Sequence, residues 1–165
     1  MGMVACYVAV SPQMLDMLIS GEESIEEYLY PDDGDSEPSN SIDLDKSWHG
    51  IHYLLNGTSE GGERPLSMAV IGGVEFGPEV GYGPARYLTV AETADVAKAL
   101  DGISISTLRA RFDPSDMLDK DIYPSPMWER DGQEALAYAL EYFHKLSAFY
   151  REAAARGDAA IQWIC

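Results

Sequence analysis

The chain's 165 residues make one ordinary domain, and 46% apolar with 24% charged residues is the balance of a folded chain rather than a disordered one. At this length a compact fold takes about two-thirds of its surface out of water, so neither a disulfide framework nor a structural metal is needed to hold it together. The formal charge of −17 argues against nucleic-acid and membrane partners, because phosphate backbones and anionic lipid surfaces are held by basic faces.

Val4 to Val10 is an apolar, β-branched run too short for a typical helix and reads as a buried strand. Ser11-Pro12 suits an N-cap and first helical position, with Met14, Leu15, Leu18 and Ile19 at helical spacing and Gly21 as the stop. Ser24-x-x-Glu27 is a capping box for a short helix. Pro31 to Ser41 has no periodicity and reads as a loop. From Asp43, the recurrence of Leu44, Trp48, Ile51, Leu54 and Leu55 gives a helix ending at Asn56-Gly57. Leu66 to Ile71 is strand-like, a Gly/Pro loop follows, and Ala85 to Leu88 is a short strand. Thr89-x-x-Glu92 opens the next helix, and two short helices cover Ile105 to Phe112 and Pro114 to Leu118. After Tyr123-Pro124-Ser125-Pro126, the longest helix runs from about Gln133 to Arg156. Its stripe of Leu136, Ala139, Phe143, Leu146, Tyr150 and Ala153 covers the sheet, and Ala160 to Ile164 is the final strand. The expected architecture is one α+β domain over 1–165, with a small mixed sheet of strands near 4–10, 66–71, 85–88 and 160–164.

Several segments carry a family resemblance: Leu44-Asp45-Lys46-Ser47-Trp48-His49-Gly50-Ile51-His52-Tyr53-Leu54-Leu55, Gly81-Tyr82-Gly83-Pro84-Ala85-Arg86-Tyr87-Leu88, and the Phe112-Asp113-Pro114 and Ile122-Tyr123-Pro124 corners. With Tyr142-Phe143 and Phe149-Tyr150 on the last helix, the pattern resembles the YfbM-like family of bacterial proteins, a domain-of-unknown-function family. The resemblance runs over nearly the whole chain, and its Asp-Lys-x-Trp-His-x-x-His helix is the most specific piece. It implies a small single-domain α+β protein of the bacterial cytoplasm with no established reaction, so no catalytic residues come with it. The acidic 32–41 loop is the chief departure from a minimal version.

Residues 1–45 hold 11 acids and no Lys or Arg, so −11 of the −17 belongs to the first quarter. This is either a solvated face or a surface that attracts a basic protein, with Glu22, Glu23, Glu26, Glu27, Asp32, Asp33 and Asp35 as the candidate contacts. Cys6 and Cys165 have no metal or redox spacing. The apolar start lacks a basic n-region and no run of about 18 apolar residues occurs, so a cytoplasmic protein with reduced thiols is expected.

At about 100° per residue, Asp45, His49 and His52 share one side of their helix. A carboxylate beside two imidazoles suits proton transfer, with Asp45 orienting His49 and His52 acting as base, or the N/O preferences of zinc or iron. The HExxH order is absent and His144 is the only other histidine, so no metal and no cofactor is assigned. The structural alternative has both rings hydrogen-bonded within the fold and Trp48 in the core. The Gly81-to-Pro84 loop lacks a P-loop Lys. Arg86 needs either a carboxylate, with Glu75 or Glu79 in the preceding loop as the candidate, or a ligand anion, which makes Tyr82 and Arg86 the candidate ligand-binding pair.

Two functions follow. The first is a non-enzymatic protein-binding module, inhibitor-like or immunity-like, acting through the acidic N-terminal surface. The second is an enzyme or small-ligand binder with Asp45, His49, His52, Tyr82 and Arg86 around one pocket.

Overall fold

In the computed structural model, which describes residues 2–32, 34 and 37–165, the first apolar run forms strand β1 (Ala5–Val10). Ser11 accepts the Met14 N–H and Pro12 fills the first turn, so helix α1 (Pro12–Ser20) begins there; it stops at Gly21, left-handed at φ 82°. Ser24 caps helix α2 (Ile25–Leu29). A short strand β2 (Ser41–Asp43) leads into a 3-10 turn (Asp45–Ser47) and helix α3 (Trp48–Asn56). A second 3-10 turn (Leu66–Met68) precedes strands β3 (Val74–Gly81) and β4 (Gly83–Leu88). Thr89 and Glu92 close a reciprocal capping box on helix α4 (Val90–Asp101). Helices α5 (Ile105–Arg111), α6 (Pro114–Asp119), α7 (Met127–Asp131) and α8 (Gln133–Arg156) and strand β5 (Ala159–Ile164) complete the order.

The strands form one sheet in the order β2-β1-β5-β4-β3, every neighbouring pair antiparallel. The last strand in the chain is therefore the central one. Alternation of side chains sends Tyr7, Ala9, Leu88 and Ala160 to one face, into a core shared with α3 to α8. Val8, Val10, Ala85, Ile161 and Trp163 point the other way, into a smaller core closed by α1 and α2. The result is a single-domain α+β fold with the sheet between two helical layers, and the whole predicted stripe of α8 is buried.

Two details of the expected sheet are corrected. It is antiparallel throughout rather than mixed, and residues 66–71 form no strand. Side chains occupy the backbone groups that a strand would offer to a neighbour. The Met68 carbonyl accepts from Gln162 Nε2 at 2.7 Å, that of Ala69 from the Tyr150 hydroxyl at 2.7 Å and that of Val70 from the Tyr7 hydroxyl at 2.7 Å, while the Gly72 N–H donates to Gln162 Oε1 at 2.7 Å. Two strands are missing from the sequence reading, and both are edge strands: β2, only three residues long, and β3, with register shifts around Gly77-Pro78, where a proline costs no interior ladder bond. Among the described residues, no helix is long and apolar enough to cross a membrane.

Candidate functional site

Helix α3 carries the most specific stretch of the sequence, and three contacts fix its first turn. The Trp48 indole donates to the Met3 carbonyl at 3.0 Å, and its ring stacks on Tyr123 at 5.7 Å and on His49 at 4.9 Å. His49 has both nitrogens committed: Nδ1 accepts the Tyr123 N–H at 2.8 Å and Nε2 lies 2.9 Å from the Ser59 carbonyl. A carbonyl only accepts and a backbone N–H only donates, so the ring is neutral with its proton on Nε2. Burial, the larger effect, pushes its pKa below the ordinary 6.5, while the Ser59 carbonyl, Glu60 and Asp121 pull the other way.

His52, one turn on, is 5% exposed. The Asn56 amide lies 3.4 Å from its Nδ1, and the same Nδ2 donates to the carbonyls of His52 at 3.1 Å and Leu66 at 3.4 Å. Two carbonyl acceptors orient that amide, so His52 Nδ1 accepts and Nε2 carries the hydrogen. Nε2 is buried with no hydrogen-bond partner; such an orphaned donor costs about 1–3 kcal/mol. Burial, then the neighbouring His49, lowers the His52 pKa as well. The Gly61 carbonyl and Glu60 act oppositely, the carbonyl without closing a hydrogen bond.

His49 and His52 line a cleft of about 480 Å³ with Trp48, Met3, Ile71 and Ile164 as apolar walls and Ser59, Glu60 and Gly61 along one rim. Tyr82 and Arg86 line it too. Tyr82 is held at the hairpin turn by its N–H, which donates to the Ile164 carbonyl at 2.8 Å, while its side chain stays 61% exposed. Arg86 pairs with Glu75 across β3 and β4. Both partners are partly exposed, so the pair contributes at most about 1 kcal/mol and leaves guanidinium donors for another anion.

Asp45 is not brought to this cleft. It sits in the 3-10 turn at φ 46°, before α3 begins, so the helical spacing to His49 does not apply, and its carboxylate accepts from the Tyr138 hydroxyl at 2.8 Å. Ser47 is buried, with its hydroxyl on the Leu44 carbonyl at 2.7 Å. On the opposite helical layer, Glu22, Glu23, Glu26, Glu27 and Asp32 are exposed, and none of them forms an ion pair among the described residues. Asp33 and Asp35 lie outside the described residues. Among the described residues, no group of three or more His, Cys, Asp or Glu is placed to hold a metal ion.

The 59–61 rim, Met3, Ile71 and Ile164 were invisible as site residues in the sequence, since they lie in a Gly-rich loop or read as plain strand. One signal was present: Asn56 stands four residues after His52 on one helix, the spacing at which such side chains meet.

A family model described as a domain of unknown function, DUF1877, matches residues 1–163. The chain is similar to Protein YfbM of Escherichia coli (strain K12), 28% identical over 172 residues that cover 99% of each chain. It also superimposes on the crystal structure of a protein of unknown function, YfbM from Escherichia coli, with a TM-score of 0.76 over 98% of this chain and 99% of that one, at 22% identity.

Proposed function

Since this chain belongs to the DUF1877 family, domains of unknown function, we propose from the cleft's chemistry that it binds a small amphipathic carboxylate between α3 and the β3–β4 hairpin. One observation carries this reading: Arg86, Tyr82 and His52 line the same cleft as the apolar side chains of Trp48, Met3, Ile71 and Ile164. An oxyanion answers the guanidinium, and an apolar body answers the walls. His49, with both nitrogens engaged, positions the rim and does not exchange protons. The activity is therefore binding, and no reaction is assigned.

The test is a titration of the intact protein with benzoate and phenylacetate, followed by NMR shifts of the Arg86 side chain, the His52 ring and the Gly61 amide. Both acids should shift these signals and benzylamine should not, with Arg86→Gln weakening binding roughly tenfold, as expected for loss of one charged hydrogen-bonding partner. Equal binding by Arg86→Gln, or shifts confined to other surfaces, would overturn the proposal.

A second reading has its own observation. The acids of α2 and its flanks, Glu22, Glu23, Glu26, Glu27 and Asp32, are exposed and unpaired, and the seven ion pairs among the described residues draw on other acids. Such a face speeds encounter with a basic protein and is weakened by salt. Its test is salt-sensitive capture of a basic protein from lysate, compared with a chain in which those acids and Asp33 and Asp35 become amides. Unchanged capture by the amide variant would end this reading.

A further inference from the structure

We propose that Cys6 and Cys165 form a dithiol site that is reversibly oxidised to an intramolecular disulfide by small, positively charged disulfides. The site lies on the other face of the sheet from the cleft and does not depend on it. Val4 and Cys165 exchange both backbone hydrogen bonds, at 2.8 and 2.9 Å, and Cys6 stands opposite Trp163 in the same β1–β5 ladder. Side chains alternate along a strand, so Cys6 and Cys165 project from one face as diagonal neighbours. Their sulfurs are 2.8 Å apart, inside van der Waals contact and less than about 1 Å beyond a disulfide bond.

The two thiols differ in access. Cys165 is exposed and Cys6 is half-buried. Burial, and then the hydrogen bond to Cys165, pushes the Cys6 thiol well above its ordinary range. Cys165 therefore reacts first. Its thiolate attacks one sulfur of the small disulfide, forming a mixed disulfide and releasing one thiolate, which takes up a proton from solvent. Cys6 then loses its proton to solvent as its sulfur attacks the Cys165 sulfur, expelling the second small thiolate. Two protein thiols lose two electrons and two protons, and the small disulfide becomes two thiols.

The surroundings select the oxidant by charge. A depression of about 210 Å³ beside the thiols is lined by Leu29, Tyr30 and Trp163 and by two carboxylates, Glu37 and Asp43. Asp43 is partly answered by Lys145 at 3.8 Å. Glu37 has no ion pair among the described residues. A cationic disulfide is drawn in and an anionic one is repelled.

The experiment treats the intact reduced protein with cystamine or with oxidised glutathione and follows the mass of the quenched products. The wild-type chain should lose the mass of two hydrogens, form no disulfide between chains and regain both thiols with excess reductant. Cys6→Ser should stop at one cysteamine adduct on Cys165, and Cys165→Ser should stay largely unmodified. Cystamine should react roughly tenfold faster than oxidised glutathione at low salt, with the ratio shrinking as salt rises or on Glu37→Gln. Adducts that never resolve in the wild-type chain, or a disulfide formed only between chains, would overturn the dithiol site. Equal rates with the two oxidants would overturn the charge selection.

Discussion

The backbone N–H of Tyr123 donates to Nδ1 of His49 across 2.8 Å, a contact between residues 74 apart in sequence. His49 belongs to α3, Tyr123 to the corner before α7, and Ser59, on the ring's other nitrogen, to the loop that rims the cleft. Only the neutral ring can hold both neighbours, because a protonated Nδ1 would face an N–H donor.

This fixes a pH dependence. His49 and His52 both have folded-state pKa values below 6.5, burial being the first cause. The unfolded chain therefore takes up protons that the folded one excludes. Stability from the neutral rings is whole above about pH 6.5 and is lost as the pH falls from there toward their lowered values. Thermal unfolding followed between about pH 7.5 and pH 5 should show a midpoint that declines with acid, less steeply in His49→Gln. A flat midpoint over that window would contradict the assigned ring states. Asp116 and Asp131, whose pKa values are also lowered, from 3.8, act below this window.

Gly50 lies in α3 against the Trp128 ring, which is 2% exposed. A Cβ at Gly50 would overlap the indole, and the buried ring has no free space into which to move. Gly50→Ala should cost about 1–3 kcal/mol despite alanine's better helix propensity. Urea unfolding measures it, and a variant as stable as the parent would show that α3 and α7 are less closely packed than described.

Gln162 is 1% exposed and makes hydrogen bonds with Met68, Tyr150 and Gly72. Gln162→Leu keeps the bulk and removes the partners, leaving several buried polar groups unsatisfied. A loss of about 3 kcal/mol is expected from denaturant unfolding. Hydrogen exchange should locate the damage at the Gly72 amide, and unchanged protection there would argue against its hydrogen bond to Gln162.

The Tyr138 hydroxyl donates to Asp45 at 2.8 Å and accepts the Lys46 N–H at 3.1 Å. Tyr138→Phe should therefore destabilise the chain by about 1–2 kcal/mol and leave benzoate binding unchanged, since Asp45 stands apart from the cleft. Loss of binding in a folded Tyr138→Phe protein would bring Asp45 back into the site.

The readable parts of the sequence were those governed by local chemistry. Ser11-Pro12, the Thr89–Glu92 box and the periodic stripe of α8 placed their helices because caps and spacing act within a few residues. Residues 66–71 misled because an apolar run looks alike whether its carbonyls meet a strand or the hydroxyls of Tyr7 and Tyr150, which are supplied by distant segments. In the candidate site, wheel geometry linked His49 with His52 but failed for Asp45, whose left-handed φ lies just ahead of the α-helix. That Tyr82 and Arg86 would meet the α3 histidines depended on the packing of the hairpin against β5, which no local pattern encodes.

The central position of β5 has a consequence for how the protein is made. Until residues 159–164 have left the ribosome, β1 with β2 and β3 with β4 are two separate ribbons, since β5 alone joins them into one sheet. Closure of the sheet therefore waits on residues 159–164, and their loss would remove the strand that joins its two halves rather than a dispensable edge.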